Sequence, residues 1–168
     1  LARWLAEHPV SGRLILVVGC GRGHEARQFA RGENQVVGID LAPEAIAAAR
    51  TLAAAEGISV DFRVRDLFAL GDDPERYDLV VEHTCFCAID PTRRGEYVTS
   101  VADVLVPGGA LWGLFYAHGR PGGPPFATDR EDLLRHLGVR FELVHLETPP
   151  DSIMTRLGEE LLAVFRKK

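Results

Sequence analysis

The stretch RLILVVGCGRGHEARQFARG, residues 13–32, decides the fold. Its first half, RLILVVG, is a continuous apolar and β-branched run, the pattern of a strand buried on both faces. Its second half, HEARQFARG, reads as a helix closed by a glycine. Between them stand Gly19, Gly21 and Gly23. Glycine lets a backbone turn tightly and approach a ligand, and the helix that follows offers free N–H groups. The spacing is G-x-G-x-G, and His24 fills the place of the third glycine of a dinucleotide fingerprint. This ranks a nicotinamide oxidoreductase last among cofactor-binding readings.

Outward from this unit the pattern repeats. QVVGID, SVDFRVRD, YDLVVEH and ALWGLFY read as strands, and APEAIAAARTLAAAEG and TDREDLLRHLG as helices. A helix over RRGEYVTSVADVLVPGG is expected to stop at Pro107-Gly108-Gly109. Alternating strands and helices predict right-handed βαβ units and a Rossmann-like, doubly wound α/β fold with a mostly parallel seven-stranded sheet. The last two strands, RFELVHLE and ELLAVFRK, have no helix between them, so the final strand is expected to pair antiparallel. The loop AHGRPGGPPFATD, residues 117–129, is long enough to expect a function of it.

Composition narrows the field. With 168 residues, 46% of them hydrophobic, one domain is expected. A net charge of −5 and no basic stripe argue against a nucleic-acid partner. The apolar runs are strand-length, which excludes a helical membrane span as the reading, and no signal peptide is visible. Three cysteines make no disulfide framework and fit a reducing, cytoplasmic setting. A monomer is expected.

In open α/β sheets, ligands bind beyond the carboxyl ends of the strands. There the glycine turn is joined by Asp40, which ends the second strand and can accept ribose hydroxyls, and by Asp66, which ends the third beside Leu67 and Phe68. Three strand ends carrying Gly-x-Gly-x-Gly, Asp and Asp predict an adenosine-containing cofactor.

These residues resemble the class I S-adenosylmethionine-dependent methyltransferases. Within them the chain is similar to the thiopurine S-methyltransferase family, which includes halide and thiol methyltransferases of plants and microbes. The segments that carry the resemblance are GCGRGHEA (19–26), GIDLAPEAI (38–46), HTCFCAIDPTRRGEY (83–97), LVPGG (105–109) and GGPPF (122–126). The resemblance implies S-adenosyl-L-methionine as cofactor, with Gly19, Cys20, Gly21 and Gly23 lining its methionine end and ribose. Asp40 would take the ribose hydroxyls, Leu41 would pack on the adenine, and Asp66 and Leu67 would border that ring. Glu82, His83 and Thr84 would lie near the amino-acid portion. Arg94 falls where the family carries a substrate-facing arginine, and Tyr116 at an aromatic position before the loop. Family members carry a tryptophan-rich N-terminal lid, to which only LARW (1–4) corresponds, so a single domain over 1–168 with the lid absent or truncated is expected.

Methyl transfer from a sulfonium is an in-line displacement that needs the reacting atoms held about 3–3.5 Å apart. A small soft nucleophile such as a thiol, thiopurine or halide suits an apolar pocket with one electrostatic guide. Arg94 would be that guide, with Phe86, Tyr116 and Phe126 as walls, although Arg94 could equally be a solvated arginine at a helix start and Tyr116 a core residue. Tyr97 reads as packing, His118, His136 and His145 as surface residues, and His24 as a cofactor contact or a helix cap. A tellurium or selenium oxyanion, another small O, N or C acceptor, or a catalytically inactive cofactor-binding module are the alternatives. If a base were needed, His83 or Glu82 would supply it.

His83, Cys85 and Cys87 alternate and on an extended strand would share one face. Same-face residues lie about 6.6 Å apart, too far for two thiolates on one zinc. No second ligand pair stands at metal spacing and no C-x-x-C is present, so no metal is expected and the thiols read as small buried groups bordering the cofactor pocket.

Overall fold

The computed structural model describes residues 1–72 and 74–168, Asp72 by its backbone alone. The elements run α1 (Ala2–Glu7), β1 (Leu14–Val18), α2 (His24–Ala30), β2 (Gln35–Asp40), α3 (Pro43–Glu56), β3 (Asp61–Val64), β4 (Tyr77–His83), α4 (Arg94–Val104), β5 (Leu105–Tyr116), α5 (Arg130–Leu137), β6 (Phe141–Glu147) and β7 (Glu160–Lys167). The seven strands form one sheet in the order β3-β2-β1-β4-β5-β7-β6. The pairs β1–β2, β2–β3, β1–β4 and β4–β5 are parallel, whereas β7 runs antiparallel between β5 and β6. Strand order reverses between β1 and β4, and a ligand crevice opens at such a switch point.

Side-chain alternation builds a core on each face of this sheet. In β1, Ile15 and Val17 point into a layer with Phe29 of α2 and Ile46, Ala49 and Ala53 of α3. Leu16 and Val18 point the other way, into a layer with Tyr97, Val98 and Val101 of α4 and Leu133 and Leu137 of α5. A strand covered on both faces must be apolar throughout, which is why RLILVVG shows no polar alternation.

Two boundaries differ from expectation. Helix α4 stops at Val104, and the chain is extended from Leu105 onward, so Pro107-Gly108-Gly109 lie within β5. A proline ring at 107 would clash with the carbonyl of Asp103 inside a helix, and it biases Val106 to extended backbone, so the helix ends a turn before it. The register with β4 jumps there, from Tyr77↔Leu105 to Leu79↔Ala110. Strand β3 ends at Val64, which leaves Asp66 in the following turn, its Oδ1 accepting from the Phe68 N–H at 2.9 Å. Among the described residues no helix is long and apolar enough to cross a membrane.

Candidate active site

The carboxyl ends of β1, β2 and β4 converge on the glycine turn. Gly19, Gly21 and Gly23 are all left-handed, with φ of 57°, 51° and 73°. The turn is latched to β2, because Asp40 Oδ2 accepts from the Gly21 N–H at 2.8 Å while Oδ1 accepts from the Ala42 N–H at 2.9 Å. It also presses on the segment after β4: a Cβ on Gly19 would lie 2.8 Å from Cys85 Sγ.

A cavity of about 310 Å³ sits on this junction, and six of the residues expected from sequence line it: Gly19, Asp40, Leu41, Leu67, His83 and Thr84. Leu41 is 64% exposed, an apolar side chain left at the cavity rim. Ile39, Arg65, Cys85, Ala88 and Ile89 complete the lining. Ala88 and Ile89, which the sequence reading did not name, follow the fourth strand's end, a signal that could have placed them. Cys20, Gly21, Gly23, Asp66 and Glu82 are not part of the lining.

Glu82 is fully buried, with Oε2 accepting from the Phe86 N–H at 2.7 Å. Burial, foremost, pushes its carboxyl up to about 7. The bond holds the turn that begins at Thr84, where φ is +58°. The chain therefore leaves the strand at His83, and Cys85 and Cys87 lie in the turn and in the short 3-10 helix Phe86–Ala88 rather than along one extended face. All three thiols are buried. Burial raises Cys20 to about 12 and Cys87 to about 11, and lifts Cys85 well above the ordinary range. Thiol chemistry runs through the thiolate, so these groups pack as neutral thiols, and Cys85 borders the cavity as expected.

His83 Nδ1 donates to Glu25 Oε1 at 2.6 Å, since a carboxylate accepts. Burial opposes charge on both groups, but their mutual hydrogen bond and attraction prevail: the imidazole is raised and the carboxyl lowered. Glu25, in the first turn of α2, went unnoticed in the sequence. His83 also lines a second cavity, of about 410 Å³, with Glu25, Gln28, Leu114, Pro149, Ile153, Arg156 and Glu160 among its walls. His24, exposed at the first position of α2, lines this second cavity; the helix is capped by Gly23 instead.

Arg94 lies elsewhere. It is 2% exposed, paired with Asp132, and donates to Thr128 Oγ1 at 3.3 Å and the Ala127 carbonyl at 3.0 Å. Its cavity, walled also by Pro91, His118 and Arg135, shares no lining residue with either of the others. Its charge is paired with Asp132, and it does not line the cavity at the glycine turn. Tyr116 ends β5, with its hydroxyl bonded to Arg120 and, at 3.2 Å, to Glu159. Arg156 lies over its ring at 4.7 Å, so Tyr116 backs the second cavity through that side chain. Phe86 is a core residue rather than a wall, 1% exposed and edge-on to Tyr97 at 5.4 Å, and Tyr97 is packing as expected. Phe126 is half-buried, its N–H donating to the Cys87 carbonyl at 2.7 Å. Of the histidines expected at the surface, His118 is buried, with Nδ1 accepting from the Arg120 N–H. His136 is half-buried beside Asp132, and His145 is stacked on Trp4 at 4.5 Å.

A mostly parallel sheet with a switch point, a glycine turn, an aspartate ending β2 and a cavity between them defines a Rossmann-like cofactor-binding fold. The methyltransferase domain family model matches residues 15–109. Thiocyanate methyltransferase 1 of Brassica oleracea is 35% identical over 157 residues, 90% of this chain and 69% of that protein. Probable thiol methyltransferase 2 of Arabidopsis thaliana is 31% identical over 160 residues, again covering 90% and 69%. A methyltransferase structure from Methanosarcina mazei superposes with a TM-score of 0.85 at 20% identity, covering 99% of this chain and 98% of that one. The chain belongs to the class I S-adenosylmethionine-dependent methyltransferases, in the thiol methyltransferase group, and its cofactor is S-adenosyl-L-methionine.

Proposed function

We propose that this enzyme methylates a small soft nucleophile of the thiol, thiopurine or halide type by in-line displacement. The observation that carries the reading is the pair of cavities meeting at His83, the second with apolar walls in Leu114, Pro149 and Ile153. The names of its thiocyanate and thiol methyltransferase relatives support the same acceptor class. When bound, the cofactor supplies an electrophilic methyl group on a sulfonium.

The residues present fit that group. Each Asp40 oxygen accepts one backbone N–H and keeps acceptor capacity for ribose hydroxyls. Leu41 and Leu67 supply apolar surface for the adenine, and Gly19 and Thr84 border the remainder of the cavity. Asp66 and Glu82 serve this site by fixing the turns that follow β3 and β4. Arg94 and Tyr116 act as supports, Arg94 by tying α4 to the 117–129 loop and α5, and Tyr116 by backing Arg156.

The test is incubation with labelled S-adenosyl-L-methionine and a panel of alkyl and aryl thiols, thiopurines, bisulfide, iodide and thiocyanate. Label is expected in a volatile or thioether product from at least one of them. Cofactor binding by calorimetry with transfer only to oxygen, nitrogen or carbon acceptors would overturn the reading.

A further inference from the structure

Resting on the acceptor class just proposed, the geometry points to a narrower one: we infer that the enzyme takes its acceptor as a protonated thiol and that His83, oriented by Glu25, is the general base that ionises it. The first observation is position. Among the described residues His83 alone lines both the cofactor cavity and the second cavity, so its ring stands where acceptor and methyl donor meet. The second is orientation. Nδ1 faces Glu25 Oε1 at 2.6 Å, and a carboxylate accepts, so Nδ1 carries the proton. Nε2 then presents its lone pair, with no hydrogen bond to the described residues and without being sealed in the core.

The third observation is what the second cavity offers an anion. Its permanently charged side-chain cation, Arg156, is matched by a carboxylate, lying 3.4 Å from Glu160. Asp151, also in the wall, faces Arg3 at 3.3 Å. A halide or thiocyanate ion arriving with its charge would find no unmatched arginine or lysine among the described residues of this wall. A neutral thiol meets apolar Leu114, Pro149 and Ile153 and a base at the junction. Glu82, the other base considered at the end of β4, has no exposed surface and cannot reach an acceptor.

The step balances without further reactants. His83 Nε2 takes the thiol proton, the thiol sulfur forms its bond to the methyl carbon, and the methyl–sulfonium bond breaks with its electron pair staying on the departing sulfur. The products are a methyl thioether, the neutral thioether form of the cofactor and an imidazolium that releases its proton to solvent. The imidazole is poised by carboxylates on three elements: Glu25 on α2, Glu82 beside it on β4 and Glu160 on β7. His24 on α2 and Arg156 and Asp151 in the connection before β7 are the other charged or titratable side chains of the cavity wall.

The experiment compares wild type with His83→Gln across pH, using an alkyl thiol that is protonated at neutral pH. At pH 7 the variant is expected to lose about 100-fold in kcat/KM, the usual scale of general-base catalysis. The deficit should shrink toward a few-fold near pH 9.5, where the thiol ionises unaided. Glu25→Gln, which keeps His83 but not its partner's charge, should move the acid limb of the wild-type profile to lower pH. An independent readout is the NMR titration of the His83 ring in the cofactor-free protein, expected above the ordinary imidazole value and lowered by Glu25→Gln. A deficit that is the same at both pH values, or a wild type that prefers iodide or thiocyanate to every thiol, overturns the proposal while the soft-nucleophile reading stands. A wild type that binds cofactor and methylates none of these acceptors overturns both.

Discussion

Glu82 ends β4 inside the protein, its Oε1 without a hydrogen-bond partner among the described residues. Its folded pKa, about 7, lies above the ordinary 4.5, chiefly through burial. The folded state therefore binds this proton more tightly than the unfolded chain. The associated stability is fully present below about pH 4.5 and is lost as pH rises through about 7. That difference corresponds to about 3 kcal/mol. Glu82→Gln keeps an acceptor for the Phe86 N–H without the charge. It should match wild type in urea unfolding at pH 4 and exceed it by about 3 kcal/mol at pH 8. Parallel stability curves for the two proteins would show that Glu82 does not titrate in this range. The Glu25–His83 pair has the opposite logic, since both members favour their charged forms. A raised imidazole contributes stability below the ordinary 6.5 that is lost as pH rises through the folded value. A lowered carboxyl contributes above the ordinary 4.5 and loses it as pH falls through the folded value. The stability lost in Glu25→Gln should be greatest between those two pH values and fade on either side, as read by thermal unfolding across pH.

At the scale of elements, the β1–α2 junction separates glycines that look alike in sequence. A Cβ on Gly23 would lie 2.5 Å from the Phe62 ring of β3 and 3.1 Å from Ala49 of α3, besides a φ of +73°. A Cβ on Gly21 would meet nothing within 4 Å, so only its φ of +51° opposes a side chain. Left-handed backbone costs about 1–2 kcal/mol in an L-residue, and overpacking adds about 1–3. Gly23→Ala should therefore be less stable than Gly21→Ala by about 2 kcal/mol in urea unfolding. Equal losses would mean that Phe62 moves aside at little cost. The strands and helices themselves were legible because each is apolar on the side it buries, and β1 on both. The end of α4 was misread because Pro107 ends a helix a turn upstream of itself, and Gly108 and Gly109 then serve the bulge of β5 rather than a helix cap. Which end-strand lies inside was not legible either; β7 takes the inner position beside β5, where its LLAVF run is buried, and β6 takes the edge.

Across the whole molecule, the residues that could be placed from sequence are those carried at strand ends, whose positions follow from the topology: Gly19, Asp40, His83 and Thr84 all line the switch-point cavity proposed to hold the cofactor. Arg94 could not be placed, because its environment is made by the loop 117–129 and α5, segments distant in sequence. There its guanidinium, over the Phe86 ring at 4.6 Å, meets Asp132, whose carboxyl is held low against burial by Thr128, Arg94, His136 and Arg135. Removing one partner of such a pair strands a buried charge, at a cost of about 3–5 kcal/mol, whereas replacing both with apolar side chains is often nearly neutral. Asp132→Asn is therefore expected to lose about 3 kcal/mol in urea unfolding, and the double variant Arg94→Met, Asp132→Leu to recover most of it. Because this cavity shares no wall with the cofactor cavity, the double variant should bind S-adenosyl-L-methionine within about twofold of wild type by calorimetry, a difference below about 0.5 kcal/mol. If the double variant instead folds with wild-type stability and binds cofactor normally, but loses turnover selectively on anionic acceptors, then Arg94 reaches the acceptor as its place in the sequence first implied.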